Sequence, residues 1–404
     1  MIGKELEVVK SYDVYRRLKE ARYLKFLSRA DVISNIKANE INAITPPSVF
    51  VGRYGYPKLS IGPLMAFSDS IADRANSLVG LSIEDIIRVR SSLVRVAYPA
   101  SAYNVYYSND RNIINIQELA LSDYKSYVDT HIKKISDVLH IDGISQPFGP
   151  TVLADRIEIE DIKSNRVIES KTSDTDAKAR DIIYELYRSK IDTNKIVELL
   201  STGLLGEKSS RRLVPTRWAI TAVDSTVSEI NLEKVKEMNP VDHISAYTGY
   251  YLGNRWLIFF IPGYYEYESI EAWYPNTRWN STDKIDIGAS YEGFKGRSSY
   301  AEIGGCYYAA RLATSEKLIK DNIQAKVLIL REVHEDYILP VGVWNVREHV
   351  RLTLNNDPII LESKSDMLNI IDRYMRLKHD IWIKNSIILR DLFKQNKITD
   401  YIKS

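Results

Sequence analysis

The stretch from residue 245 to residue 275 constrains the fold more than any other part of the sequence. Apolar and aromatic runs at 247–252, 256–261 and 264–273 are separated there by Gly253-Asn254 and Pro262-Gly263. Short runs divided by turn residues are typical of an antiparallel meander of three strands. Because helical patterns occupy much of the remaining chain, the sequence predicts an α+β fold with mixed helices and a largely antiparallel sheet.

Apolar spacing and turn residues predict the other elements. In the first half we predict a basic amphipathic helix at 12–29, a strand at 48–51, and a helix from Ser82 to about residue 96, opened by a Ser82–Asp85 capping box. Strands within 151–168, helices at 177–189 and 193–201, a basic loop at 203–212 and a strand at 216–223 follow. In the second half we predict a helix near 299–318, strands at 326–333 and 337–344, a helix at 345–353 and a long C-terminal helix at 366–394.

Composition limits the class of protein. The chain has 404 residues, enough for two or three domains, with 45% apolar and 27% charged residues. No apolar run is long enough for a membrane span, and the N-terminus lacks the apolar stretch of a signal peptide, so we expect a cytoplasmic protein without membrane contact. The net charge of +2 excludes a whole-protein electrostatic attraction to nucleic acid, so any such contact depends on local basic patches.

Cysteine and histidine provide no metal signature. Cys306 is the one cysteine, which excludes an internal disulfide and a cysteine-based zinc site. The six histidines are scattered, and the signatures of phosphate-loop, zinc-protease and serine-hydrolase sites do not occur. We therefore expect no metal and no cofactor.

The last ten residues carry a pattern that indicates a protein partner. Gln395, Ile398, Tyr401 and Ile402 follow the spacing of the PIP box, the tail peptide by which DNA replication and repair proteins dock on the sliding clamp PCNA. One 3₁₀ turn brings Ile398 and Tyr401 to one side as an apolar plug beside Ile402, with Gln395 at the rim. Ile402 should fill the pocket less well than phenylalanine. A short amphipathic C-terminal helix is the alternative interpretation.

Four clusters combine arginine with glycine and aromatic residues, at 51–58, 209–218, 291–311 and 330–348. Arginine and lysine can grip phosphate, and Tyr54 or Tyr56 could stack on a base. The alternative is that each arginine pairs with a nearby acid, as Arg217 could with Asp224. The candidate phosphate- or nucleotide-binding residues are Arg53, Lys58, Arg211, Arg212, Arg217, Arg297, Arg311 and Arg347.

A carboxylate beside these arginines could act as acid or base in an enzyme that hydrolyses a phosphate or N-glycosidic bond of a nucleotide or nucleic acid. No spacing singles out one carboxylate. A third hypothesis is a passive adaptor whose body binds another repair protein. The weak catalytic candidates are Asp224, Glu266, Glu268, Glu292 and Glu332.

Four motifs, at 47–58 with Gly62-Pro63, 210–218, 304–312 and 340–344, resemble the Nre family of archaeal DNA repair proteins. The resemblance implies two closely packed regions, which we place at 1–285 and 286–394, and a PIP-box tail at 395–404. It also implies a role in repairing DNA damage, with PCNA as partner, and the arginine clusters add DNA or a nucleotide as a candidate ligand. Many members begin with a four-cysteine, zinc-finger-like element, which this sequence lacks, so we expect no metal role.

Overall fold

A computed structural model describes residues 36, 40–46, 48–103, 105–136, 144–275, 277, 280 and 282–394. The predicted basic helix at 12–29 and the PIP-box tail lie outside the described residues. The described chain divides into two compact units. We call residues 36–227 with 340–343 the N-terminal unit, and residues 228–339 with 344–394 the C-terminal unit. Among the described helices, none combines the length and the apolar character needed to cross a membrane.

The N-terminal unit contains a six-stranded sheet in the order β1-β5-β6-β4-β3-β2. Neighbouring strands are antiparallel except β4 and β6, which are parallel. The strands are β1 Glu40–Thr45, β2 Val49–Val51, β3 Lys58–Met65, β4 Val94–Ser101, β5 Ser126–Ser136 and β6 Thr151–Glu160. The helices are α1 Asp69–Asn76, α2 Ile83–Ser91, α3 Arg111–Ala120, α4 Arg166–Thr172, α5 Ala179–Arg188, α6 Thr193–Ser201 and the first part of α7 Thr216–Val235.

The capping signal at Ser82 is confirmed, but the helix that it opens is shorter than predicted. The Ser82 side chain accepts a hydrogen bond from the backbone N–H of Asp85, and α2 ends at Ser91. Residues 94–101 form β4 instead, paired with β3. Pro99 disfavours a helix at this point because proline has no backbone N–H to donate and its ring crowds the preceding turn.

The C-terminal unit contains a second six-stranded sheet, in the order β10-β9-β11-β8-β7-β12. Its strands are β7 Ile244–Tyr251, β8 Asn254–Ile261, β9 Glu266–Trp273, β10 Asp286–Glu292, β11 Lys326–Val333 and β12 Ile359–Leu361. Its helices are the end of α7, α8 Gly305–Asp321, α9 Trp344–Leu354, α10 Lys364–Tyr374, α11 His379–Asn385 and α12 Ile387–Lys394. Helices and two mixed sheets in one chain confirm the α+β fold class.

The predicted three-stranded meander is right for its first two strands and wrong for the third. β7 and β8 form a hairpin whose turn residues, Leu252 and Gly253, both have positive φ, the geometry of a type I′ turn. A Cβ on Gly253 would lie 2.4 Å from the Tyr337 nitrogen, so glycine is required there. β9 does not pair with β8, because β11 lies between them, parallel to β9. Seven of the eight β11 residues are buried, as befits a central strand.

Two predicted strands are wrong. Residues 216–223 begin α7, in which Ala219, Val223 and Val227 are buried at the four-residue spacing of one helix face. Residues 337–344 form a loop that leads into α9, with Gly342 at a φ of 97°. Pro215 directly precedes the first segment and Pro340 lies within the second, and each segment forms a helix start or a loop rather than a strand.

The C-terminal helical segment is confirmed, and it consists of three consecutive helices rather than one. The breaks fall at Met375 and Ser386, which both have extended backbone. The helices carry Ile371, Trp382 and Leu389 into a core shared with sheet residues such as Phe259 and Leu328. Burying a large apolar side chain stabilises a fold by roughly 1.5–3 kcal/mol, so this contact is a main source of stability in the C-terminal unit.

Candidate nucleic-acid interface

Three segments of the N-terminal unit are hydrogen-bonded side by side at one end of its sheet, where β4 ends and β3 begins. The backbone N–H of Ala102 donates to the Pro57 carbonyl at 2.8 Å, and the Ala102 carbonyl accepts from the N–H of Leu213 at 2.9 Å. The N–H of Val51 donates to the Thr216 hydroxyl at 2.9 Å. These bonds bring together the loop at 52–57, the segment after β4 and the segment before α7.

Six aromatic side chains project from these segments into solvent. Tyr54 is 75% exposed, and Tyr107 is 60% exposed. Large rings usually bury most of their area, so a group of exposed rings marks a surface for a partner. With their neighbouring cations, they form what we call the aromatic-basic surface: Tyr54, Tyr56, Tyr103, Tyr106, Tyr107, Trp218, Arg53, Lys208, Arg211 and Arg212.

The rings form small contacting groups. The Tyr56 ring lies 5.4 Å from the Trp218 ring and 6.3 Å from the Tyr103 ring. Tyr106 and Tyr107 meet edge to face at 5.3 Å. The hydrogen bond with Tyr103 raises the pKa of Tyr56, so its hydroxyl stays protonated at neutral pH. Each group therefore presents aromatic faces with a polar edge to solvent.

Positive charges lie over these rings. The Arg53 guanidinium is 4.8 Å from the centre of the Tyr54 ring and donates to the Tyr54 hydroxyl at 3.1 Å. The Lys208 ammonium is 5.1 Å from the Tyr106 ring and 5.3 Å from the Tyr107 ring. Such cation–π contacts hold the rings in place while the charge remains available to an anion.

Arg211 contacts the Tyr106 ring of the aromatic-basic surface from the protein interior. It is buried and donates to the carbonyls of Gly206, Thr172 and Asp174 at 2.8–2.9 Å, with its guanidinium 5.4 Å from the Tyr106 ring. Its donors are engaged by the protein, so its contribution is position and charge rather than a free grip on phosphate.

The other basic candidates of this unit differ in exposure. Lys58 and Arg212 are exposed, whereas Arg217 is half-buried in the first turn of α7. Trp218 lies in the predicted cluster at 209–218, whereas sequence reasoning did not single out Tyr103, Tyr106, Tyr107 or Lys208. A tyrosine-rich segment directly after a strand was the signal that could have identified the three tyrosines.

The candidate residues of the C-terminal unit are engaged in internal contacts. Arg311 and Glu292 form a buried ion pair at 2.9 Å. Arg311 also donates to Ser228, and Tyr265 donates to Glu292 at 2.8 Å. Burial raises the pKa of Tyr265 well above its usual value, so this hydroxyl remains a donor. A buried pair satisfied on both sides is a structural element that leaves little capacity for a phosphate.

Glu268 caps a helix. It accepts hydrogen bonds from the Ser386 hydroxyl at 2.6 Å and from the backbone N–H groups of Ile387 and Ile388 at 2.7 and 2.9 Å. The first amides of a helix have no partner within the helix, so Glu268 supplies acceptors to the start of α12. Burial raises the pKa of Glu268, and these bonds oppose that rise.

Glu332 stabilises the turn between α10 and α11. Its carboxylate accepts hydrogen bonds from the backbone N–H groups of Leu377 at 2.8 Å and Arg376 at 3.0 Å. The Nε2 atom of His334 lies 3.2 Å from the Oε2 atom of Glu332. Burial would raise the pKa of Glu332, yet the hydrogen bonds from His334 and the two amides lower it. Glu266 pairs with Lys326 at 2.6 Å and accepts from Tyr291. The contacts of these carboxylates do not single out an acid or base.

The remaining candidates lie on different segments of the chain. Arg297 pairs with Glu302 at 3.0 Å and lies over the Tyr307 ring. Arg347 is buried in α9, and Asp224 is buried in α7. Within the described chain, no group of three histidine, cysteine, aspartate or glutamate side chains is arranged to hold a metal ion.

A second buried pair in the C-terminal unit was missed by sequence reasoning. Arg331 bonds Glu271 at 2.7 Å and Asn254 at 2.7 Å. The three residues lie on adjacent strands, and strand pairing is not visible in the sequence. No local signal therefore points to this pair.

Family comparisons match almost the whole chain. The Archaeal Nre, N-terminal model matches residues 21–280, and the Archaeal Nre, C-terminal model matches residues 292–401. DNA repair protein NreB of Archaeoglobus fulgidus is 33% identical over 87% of this chain and 89% of its own. DNA repair protein NreA of the same organism is 33% identical over 84% of this chain and 85% of its own length. DNA repair protein NreA of Haloferax volcanii is 31% identical over 89% of this chain and 90% of its own length.

No solved structure matches this chain. The relatives are named DNA repair proteins, which supports the DNA repair role expected from the sequence. The N-terminal model precedes the C-terminal model along the chain, and together they cover most of it. The chain therefore belongs to the archaeal Nre family.

Proposed function

We propose that this protein is a DNA repair factor that is recruited to DNA by the sliding clamp PCNA and contacts the DNA through the aromatic-basic surface. The main support for the proposal is this surface, where exposed rings and cations from three hydrogen-bonded segments lie together. Rings and cations in one patch are the combination that nucleic-acid-binding proteins use for bases and phosphates.

Clamp recruitment rests on the tail pattern Gln395, Ile398, Tyr401 and Ile402. A tail bound to the clamp raises the local concentration of the body near DNA, so the body needs only modest affinity of its own. This suits a chain with a net charge of +2, which has little long-range attraction to DNA. A cytoplasmic location fits this role and stays a prediction, as does the division at residue 285.

The hydrolase hypothesis receives less support from the C-terminal unit. A general acid or base needs an oxygen that reaches substrate, whereas Glu268, Glu292 and Glu332 each accept two or more bonds from the fold. Binding of DNA or a nucleotide without hydrolysis is therefore the activity we propose for the body.

A pull-down with PCNA tests the recruitment. We expect the full-length chain to retain the clamp and a version truncated after Lys394 to lose it. A full-length chain with residues 395–404 in scrambled order controls for the composition of the tail. Equal retention by all three proteins would contradict the proposal. DNA binding by the truncated chain, measured separately, reports on the body alone.

A further inference from the structure

Resting on the proposed DNA contact, we infer that the aromatic-basic surface binds single-stranded DNA, with unpaired bases stacked on its exposed rings. The surface lies wholly in the N-terminal unit, so it does not depend on the tail.

Ring exposure is the first argument. In a duplex the flat faces of the bases are covered by their neighbours, so exposed aromatic rings have no base faces to contact. In a single strand each base offers a free face, and stacking on tyrosine or tryptophan is tolerant of sequence. The 75% exposure of Tyr54 and the 49% exposure of Trp218 leave ring area open for such contacts.

Charge is the second argument. Tight duplex binding relies on neutralising many phosphates at once. The exposed cations of the surface are Arg53, Lys208 and Arg212, and Lys58 follows Arg53 in the same loop region. Three or four cations suffice to hold the backbone of a short single strand, and stacking then supplies the remaining affinity.

Arrangement is the third argument. Rings occur as three platforms: Tyr54 beneath Arg53, Tyr56 with Trp218, and Tyr106 with Tyr107 beneath Lys208. Each platform has a cation at or near its ring, since the charge of Arg212 acts on Tyr56. One base stacked per platform with its phosphate near the cation would occupy about three nucleotides, just below the range of about 4–16 nucleotides found for single-strand-binding folds.

Rigidity is the fourth argument. Backbone bonds through Ala102 fix the Tyr56 loop relative to the segment that leads to Trp218, and three carbonyls fix Arg211 beneath Tyr106. Side chains already in place lose little freedom on binding, so stacking energy is retained as affinity.

Fluorescence anisotropy with the full chain tests the inference. The probes are a labelled oligothymidine of about 12 nucleotides and a blunt duplex of equal length. We expect the single strand to bind at least about tenfold more tightly than the duplex. Trp218→Ala and Tyr54→Ala should each weaken single-strand binding about 5- to 150-fold, the range of one lost stacking contact. The logarithm of the affinity should fall with the logarithm of salt at a slope of about −2, as expected for three phosphate contacts.

Two matched variants control the result. Tyr264→Ala removes a 70% exposed tyrosine of the C-terminal unit and should leave binding unchanged. Trp218→Phe keeps an aromatic face and should retain most of the affinity. Because both altered residues of the surface are exposed, thermal unfolding of all four variants should match the parent, which separates lost contacts from lost folding.

Four outcomes would overturn the inference. Duplex binding as tight as single-strand binding would remove the selectivity but leave the proposed DNA contact intact. Equal effects of Tyr54→Ala and Tyr264→Ala would place the DNA elsewhere on the chain. Tenfold tighter binding of oligouridine than of oligothymidine would assign the surface to RNA. Failure to bind any DNA would contradict the proposed DNA contact as well, whereas clamp binding is measured independently.

Discussion

The Tyr56 ring contacts the Trp218 ring at 5.4 Å, although the two residues are far apart in the chain. The contact exists because the residue that follows Tyr56 accepts a hydrogen bond from Ala102, and Ala102 accepts one from Leu213. Ala102, the residue directly after β4, thus connects two motifs that are separate in the sequence. The aromatic-basic surface therefore lies in the N-terminal unit, whereas the two buried ion pairs lie in the C-terminal unit.

Replacing the apolar end of the tail should abolish clamp binding. Tyr401→Ala with Ile402→Ala removes the apolar anchors that supply most of the affinity in peptide-in-groove recognition. Titration calorimetry with PCNA should show no measurable heat of binding, while thermal unfolding of the body remains unchanged. Lys403→Ala, outside the pattern, should bind as the parent does. Unchanged affinity of the double variant would exclude the PIP-box interpretation.

Glu292→Gln should destabilise the chain strongly. It removes the buried carboxylate that pairs with Arg311 at 2.9 Å and leaves only the more exposed Glu229 at 3.3 Å, and breaking a buried pair costs about 3–5 kcal/mol. Glu266→Gln is the matched control, because Glu266 and Lys326 are partly exposed and such a pair contributes about 0–1 kcal/mol. Urea unfolding of both variants measures the difference. Equal losses of unfolding free energy would show that burial does not govern the pair.

Glu268→Ala should loosen the start of α12. The substitution removes the acceptor for the Ser386 hydroxyl and for two backbone amides, at about 1–3 kcal/mol for buried groups left unsatisfied. Hydrogen exchange should become faster in the amides of α12. Asp366→Ala is the control, since it disrupts the capping box of α10 instead. Faster exchange in α10 rather than α12 after Glu268→Ala would contradict the assigned role.

His349 should make the chain sensitive to acid. Burial, together with the Arg331 charge, lowers the pKa of His349 from 6.5 to about 3. The unfolded chain therefore binds a proton below pH 6.5 that the folded chain refuses until about pH 3, so stability falls as pH decreases through this window. The slope is up to about 1.4 kcal/mol per pH unit. In urea unfolding at pH 7, 6, 5 and 4, His349→Gln should lose less stability than the parent, and parallel curves would contradict the assignment.

Local patterns were sufficient for many elements. The helix at 193–201 and the strands at 256–261 and 326–333 were predicted from apolar spacing and turn residues, and the structure confirms them. The segment at 216–223 was assigned to the wrong class, because a short apolar stretch fits both periods until its buried face is known. The order of strands was not predictable, since β11 enters between β8 and β9 through pairing at long range.

For the candidate site too, residue types were predictable from the sequence, whereas their contacts and exposure were not. Arg53, Tyr54, Tyr56 and Arg212 were recognised as candidates because their residue types suit phosphates and bases. Whether an arginine is available depends on its neighbours, and Arg311 is taken up by Glu292 from another element. Exposure of Trp218 also depends on how α7 packs.

By itself the sequence determined the α+β class, the family and the tail pattern, because these depend on residue types at fixed spacing along the chain. Only the tertiary structure decided which charged residues are consumed inside the fold and which aromatic residues share a surface. The physical reason is that burial and ion pairing are set by contacts between distant segments. Those contacts join Tyr56 to Trp218 and remove Arg311 from the set of available cations.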